Sequence, residues 1–189
     1  MAHTEQPRER KRRVPRPLDQ AMLQELALSY VARFSTTGAK LERYLKRKLR
    51  ERGWDGEGEP QVAQLAARYA ELGYIDDAAW ARSKSGSLLR RGYGPRRVNE
   101  ALGQAGVDEA TRRDLRPAEA ETRHAALALA RKRRFGPFGM ERPDPARREK
   151  QLAAMLRAGH SLDSAKEMVD AANVAAAESW AAECDDEEG

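Results

Sequence analysis

The residues of this 189-residue chain whose types and spacing suggest chemistry are basic. Arg90-Arg91 and Arg96-Arg97 flank a Gly92-Tyr93-Gly94-Pro95 core in the stretch LLRRGYGPRRVNEAL. Lys46, Arg47 and Arg50 form a second basic group, and Arg131, Lys132, Arg133 and Arg134 a third. A guanidinium presents a planar fork of N–H donors that matches phosphate or carboxylate, so paired arginines near helix ends suit a polyanionic partner. The glycines raise a rival chemistry, a loop that cradles a nucleotide phosphate. Gly92-Tyr93-Gly94 lacks the third glycine of a dinucleotide fingerprint, nothing before it reads as a strand, and the chain has no GxxxxGK[ST] sequence. The stretch therefore reads as a joint. Gly92 ends one helix, Gly94 and Pro95 start the next, and the arginine pairs project from the two helix ends.

Other residue types offer less. His3, His124 and His160 are scattered, with no cysteine or acid at metal-ligand spacing. His124 follows the helical face of Ala120 and Leu127 and reads as a core-edge histidine. Asp76-Asp77 could be imagined as metal-binding or general-base carboxylates, but no histidine or further acid accompanies them. They suit a helix start instead: Asp76 as the N-cap, Asp77 at the positive end of the dipole, and Ile75 and Trp80 at the two positions of a hydrophobic staple. Cys184 is the only cysteine, so no intrachain disulfide is possible, and its acidic neighbours disfavour a thiolate. The expectation is a non-enzymatic protein with no cofactor and no metal. No apolar run is long enough to cross a membrane and none follows the basic N-terminus, which implies a cytoplasmic protein without a signal peptide.

Elements must position the basic groups, and composition says which kind. The chain is 40% hydrophobic, 34% charged and only 6% aromatic, rich in alanine, leucine, arginine and glutamate. That favours helices with thin cores over sheets. The net charge of +5 is uneven: residues 1–17 form a basic, proline-containing arm expected to be disordered, and residues 178–189 an acidic tail of the same kind. The body between them is basic, as expected for a protein that meets nucleic acid or an acidic surface.

Apolar spacing predicts about nine helices and no strand. The first runs from about Asp19 to Phe34, with Leu23, Leu26, Ala27, Tyr30, Val31 and Phe34 on one face. The second buries Leu41, Leu45 and Leu49 and stops at Gly53. Pro60 suits the first position of a third, striped by Val62, Leu65, Ala66, Tyr69 and Leu72 and closed by Gly73. A fourth starts after Gly73-Tyr74-Ile75-Asp76. A fifth follows Pro95, with Val98 and Leu102 inward, and ends at Gly106. Asp108 caps a short sixth, and Ala118 to Arg134 makes a seventh. Phe135 to Pro143 reads as a loop, Asp144-Pro145 starts an eighth helix ending at Gly159, and Ser161 caps a ninth through about Trp180.

Two spacings recur. Gly53, Gly106 and Gly159 are evenly separated, and Leu49, Leu102 and Met155 stand at the same position before each. An apolar-Ala-Arg triplet recurs evenly as Val31-Ala32-Arg33, Trp80-Ala81-Arg82 and Leu129-Ala130-Arg131. Together they predict an all-α, elongated tandem array of three three-helix, helix-turn-helix-like repeats, over residues 18–75, 76–116 and 117–177.

The segment LGYIDDAAWARSKSGSLLRRGYGPRRVNEALGQAGV resembles the RecX family of bacterial recombination regulators. Gly-Tyr-Ile-Asp-Asp, Ala-Arg, Arg-Gly-Tyr-Gly-Pro-Arg-Arg and the Leu-x3-Gly ending stand in the family's order. ALSYVARF and LERYLKRKLRERGW look like a first repeat of that family, and the likeness covers about residues 20–172. The third repeat departs from it: where the family usually carries a large aromatic, this turn reads Ala158-Gly159-His160. The resemblance implies a monomer that binds the RecA–DNA filament and modulates ATP hydrolysis, co-protease activity and strand exchange. The basic groups leave two further readings open: a sequence-independent binder of single- or double-stranded DNA backbone, and a helical adaptor for another acidic protein.

Overall fold

The computed structural model describes residues 16–184, so the basic arm up to residue 15 and the tail from residue 185 lie outside it. Ten helices follow in chain order: α1 (Gln20–Arg33), α2 (Gly38–Arg52), α3 (Val62–Glu71), α4 (Asp77–Arg90), α5 (Pro95–Gln104), α6 (Glu109–Asp114), α7 (Glu119–Arg133), α8 (Pro145–Arg157), α9 (Leu162–Asp170) and α10 (Val174–Ala182). Among the described residues there is no strand, only an isolated bridge between Leu18 and Trp54. The fold is all-α.

Most helix starts follow from one side chain each. Asp19, Thr37, Asp76, Asp108, Asp144, Ser161 and Asn173 each accept a backbone N–H from the first turn of the helix they precede. Such a bond satisfies one of the donors that a helix leaves unpaired at its N-terminus, and losing it costs about 1 kcal/mol. Gly53, Gly73, Gly92, Gly106 and Gly159 all have positive φ, the left-handed geometry that ends a helix sharply.

Three apolar clusters form the core. The first gathers Leu18, Leu23, Leu41, Leu45, Val62, Leu65 and Ile75 from α1–α3 and their flanks. The second gathers Ala81, Leu88, Leu89, Val98, Leu102 and Val107 around α4 and α5, with Ala125 of α7. The third takes Leu127, Leu129, Leu152, Met155, Met168 and Val169 from α7–α9, with Ala177 and Ala181 of α10. None is large enough to stand alone comfortably, so contacts between clusters matter.

Several sequence expectations need correction. Phe34 and Leu72 are 56% and 59% exposed; each sits at a helix end, where the periodic face has already run out. Pro60 does not begin α3, because its carbonyl accepts the Val62 N–H and delays the first helical residue. Ile75 packs in the first cluster and Trp80 against the second, so the two staple positions serve different cores. His124 is exposed rather than at a core edge. A short 3-10 turn, Gly136–Phe138, interrupts the expected loop after α7. The ninth helix is two. Asn173 breaks the alanine-rich run by capping α10, which folds back to bury Ala177 and Ala181, and regular structure continues past Glu178 to Ala182.

Candidate polyanion-binding interface

The basic groups lie at two joints between the clusters. At the first, the start of α2 docks on the end of α5. The Thr37 hydroxyl accepts the Lys40 N–H and donates to the Ala105 carbonyl at 2.6 Å, so one buried side chain caps its own helix and ties the joint. Asp77 accepts the Gly38 N–H at 3.0 Å, adding a bond across the joint to its place in the first turn of α4. Gly106 lies so close to Ala39 that a β-carbon there would collide with it.

At the second joint the start of α5 docks on the end of α8. The Gly94 and Arg96 N–H groups donate to the Ala158 and Gly159 carbonyls at 2.9 and 3.2 Å. Pro95 is the first residue of α5, as its fixed φ favours. A β-carbon on Gly159 would sit 2.5 Å from the Arg97 nitrogen, and one on Gly92 would sit 2.8 Å from the Leu129 nitrogen. His160 is 2% exposed and bonds to the Gly92 carbonyl through Nε2 at 3.0 Å. A carbonyl can only accept, so Nε2 carries the proton, while Nδ1 is buried with no protein partner. Burial lowers the His160 pKa, opposed by that hydrogen bond, and keeps the ring neutral.

Each joint borders an open groove. The first, about 1100 Å³, runs between α2, α4 and α5 and is lined by Tyr30, Tyr44 and Trp80 with Lys40, Arg43, Lys46, Arg47, Arg50 and Lys84. The Lys40 ammonium stands 3.7 Å over the Trp80 ring, and Tyr30 stacks on Tyr44 at 4.3 Å. Burial, then the charges of Lys84 and Arg43, lower the Lys40 pKa, a sign that cations crowd around it. Lys46 and Arg47 pair with Glu42 and Glu51 on their own exposed helix face, contacts weak enough to exchange for a stronger anion.

The second groove, about 240 Å³, lies between the α4–α5 turn, α7 and α8 and holds Arg91, Lys132, Arg133 and Arg157 around Tyr93 and Phe135. A neighbouring cavity shares Arg133 and Phe135 and adds Arg134, Arg147 and Lys150. Among the described residues, none of Arg91, Lys132, Arg133 and Arg157 has a carboxylate within 4.0 Å.

The structure separates residues that the sequence groups. Of the middle arginines, Arg91 faces the groove with its guanidinium 5.4 Å from the Tyr93 ring, and Arg90 is exposed in the last turn of α4. The Arg96 guanidinium instead donates to the Leu156 carbonyl, closing the end of α8, and Arg97 pairs with Glu100. In the third group Arg131 pairs with Glu178 of α10. Tyr74 is exposed and meets Tyr69 edge-on, whereas Ile75 is buried. Lys40, Arg43, Lys84 and Arg157 belong to the grooves and were not among the sequence candidates. Among the described residues, no three of His, Cys, Asp and Glu come together as metal donors, and no helix is long and apolar enough to cross a membrane.

Comparison with known proteins decides the lineage. A regulatory protein RecX of Myxococcus xanthus is 33% identical over 175 residues, spanning 86% of this chain and 92% of that protein. The chain belongs to the RecX family. A RecX of Stenotrophomonas maltophilia is 37% identical over 122 residues, 64% of this chain and 71% of that protein. The crystal structure of RecX from Lactobacillus salivarius aligns with a TM-score of 0.61 at 19% identity, covering 79% of this chain and 94% of that one. At that identity the likeness shows the fold alone. No family model matches the chain.

Proposed function

We propose that this chain binds the RecA–DNA filament and lowers RecA ATPase, and with it strand exchange and co-protease activity, in DNA repair and the SOS response. Family membership across nearly the whole length of the Myxococcus xanthus relative carries this reading. The geometry supports it. Three small cores linked end to end hold two cationic grooves in a fixed relation, as tracking along an extended polyanionic assembly requires. Lys46, Arg47, Arg50, Arg90, Arg91, Lys132, Arg133 and Arg134 are the contact residues of this proposal. Arg96, Arg97 and Arg131 contribute after exchanging their present partners. The residues 18–75, 76–116 and 117–177 act as the three repeats.

Co-sedimentation with RecA filaments tests the contact surface. Alanine at Arg90, Arg91, Arg96 and Arg97 together weakens binding while circular dichroism stays helical. Because Arg96 also holds the end of α8, the Arg90→Ala, Arg91→Ala pair is the cleaner variant. Undiminished binding of both variants contradicts the assignment. A second reading, DNA binding without RecA, is favoured by the groove cations that lack carboxylate partners. It requires affinity for naked DNA whose logarithm falls steeply with that of salt concentration.

A further inference from the structure

The two grooves are built from the same positions of successive repeats. In the first groove, α4 supplies Trp80 and Lys84, and α5 supplies Ala101, Gln104 and Ala105. In the second, α7 supplies Leu129 and Arg133, and α8 supplies Ala154, Arg157 and Ala158. Counted from the apolar-Ala-Arg triplets, Lys84 and Arg133 occupy one position. Counted from Gly106 and Gly159, Gln104 and Arg157 occupy another, and so do the two alanine pairs. The correspondence joins two spacings that the sequence carries on different helices, and it selects lining residues of both cavities. The third wall of each groove also corresponds: the flank of the preceding repeat, Lys40 in one and Arg91 with Tyr93 in the other.

Both grooves also hold their cations in the same chemical way. Lys40 rests on Trp80, and Arg91 on Tyr93. An aromatic face positions a cation without neutralising it, whereas a carboxylate would cancel its charge. Small alanines at the floor leave room for a chain to lie along the joint, and Thr37, Asp77 and Gly94 fix the joints themselves through bonds already described. A groove repeated at a fixed interval, lined by two or three aromatic rings and by cations such as Lys40, Lys84, Arg91 and Arg133 that have no carboxylate partner among the described residues, matches a strand carrying regularly spaced phosphates.

We propose that the two grooves are equivalent seats for the phosphodiester backbone of nucleic acid, so that one strand crosses both joints while a short strand fills either. This deepens the proposed function, resting on its assignment of the joint cations as the contact surface, and it makes that contact double and direct.

Fluorescence anisotropy and stoichiometric titration of the full chain with labelled oligonucleotides, without RecA, test it. The probes are single strands of about 6 and about 30 nucleotides, matching a single site and an excess over two, and a duplex of the longer length. The chain takes two short strands but one long one. Lys84→Glu and Arg133→Glu each reduce the short-strand stoichiometry to one and weaken long-strand binding by about tenfold, through loss of the linkage between seats. The double variant loses both seats, and Lys84→Gln and Arg133→Gln fall between, with circular dichroism unchanged for all. Arg113→Glu, an exposed cation outside both grooves, leaves stoichiometry unaltered. The single and duplex arms report which form of the backbone the seats accept. The proposal is overturned by single reversals that keep two short strands bound, by losses no larger than that of Arg113→Glu, or by absence of nucleic-acid binding. Absence of naked binding alongside retained inhibition of RecA ATPase overturns the two seats while the proposed function stands. Two-seat binding with no effect on RecA does the reverse.

Discussion

Leu102 shows how a single side chain sustains the middle repeat. It is 1% exposed in the second cluster, so Leu102→Ala leaves a void beside Val98 and Leu89. Stability falls by about 2–5 kcal/mol, read from chemical denaturation. Its burial was legible from its position before Gly106. The role of Arg96 was not, because its acceptor at Leu156 lies 60 residues away on another helix. His160 was legible only as a departure from the family pattern; the structure makes it a buried pin between repeats. The sign of its pH effect follows from burial. Above the ordinary value of 6.5 the ring is neutral in both states and adds no pH dependence. As pH falls below 6.5 the unfolded chain takes up a proton that the buried ring resists, so stability declines through the lowered folded pKa. Thermal melting from about pH 8 down to about pH 5 therefore shows a loss that His160→Gln flattens. An equal slope in the variant contradicts this account.

At the scale of elements, two helix-ending glycines separate conformation from contact. Gly53 and Gly159 both have positive φ, but a β-carbon at Gly53 meets nothing within 4 Å, whereas at Gly159 it meets the Arg97 backbone. Gly53→Ala costs about 1–2 kcal/mol for the left-handed geometry alone. Gly159→Ala costs measurably more, because the joint with α5 must also shift. Equal losses in urea denaturation would mean the close approach carries no energy. The even spacing of these glycines made the repeat visible in sequence, since a sharp helix end is a local demand. The division between α9 and α10 was hidden because Asn173 sits in an alanine run with strong helix propensity. Only packing shows why α10 turns back: Arg123 donates to Glu119, to Glu183 and to the Trp180 carbonyl, holding it against α7.

On the scale of the whole molecule, charge placement matters more than net charge. Basic groups that are compact in sequence are split between grooves, joints and ion pairs, and each groove draws its lysines and arginines from separate elements, α2 and α4 in the first and the end of α4, α7 and α8 in the second. That is why Lys40, Lys84 and Arg157 escaped a reading along the chain, although Lys84 and Arg133 share a place two residues beyond the recurring triplets. Under the proposed function, a molecule so arranged acts by laying two fixed cationic grooves on a repeating partner. The most direct test is a titration of this chain into RecA hydrolysing ATP on DNA, at a salt concentration where filaments persist. The account predicts that ATPase falls well before the chain reaches one copy per RecA, and that the Arg90→Ala, Arg91→Ala variant needs more protein for the same effect. ATPase that stays unchanged up to stoichiometric amounts, with filaments intact, would contradict it.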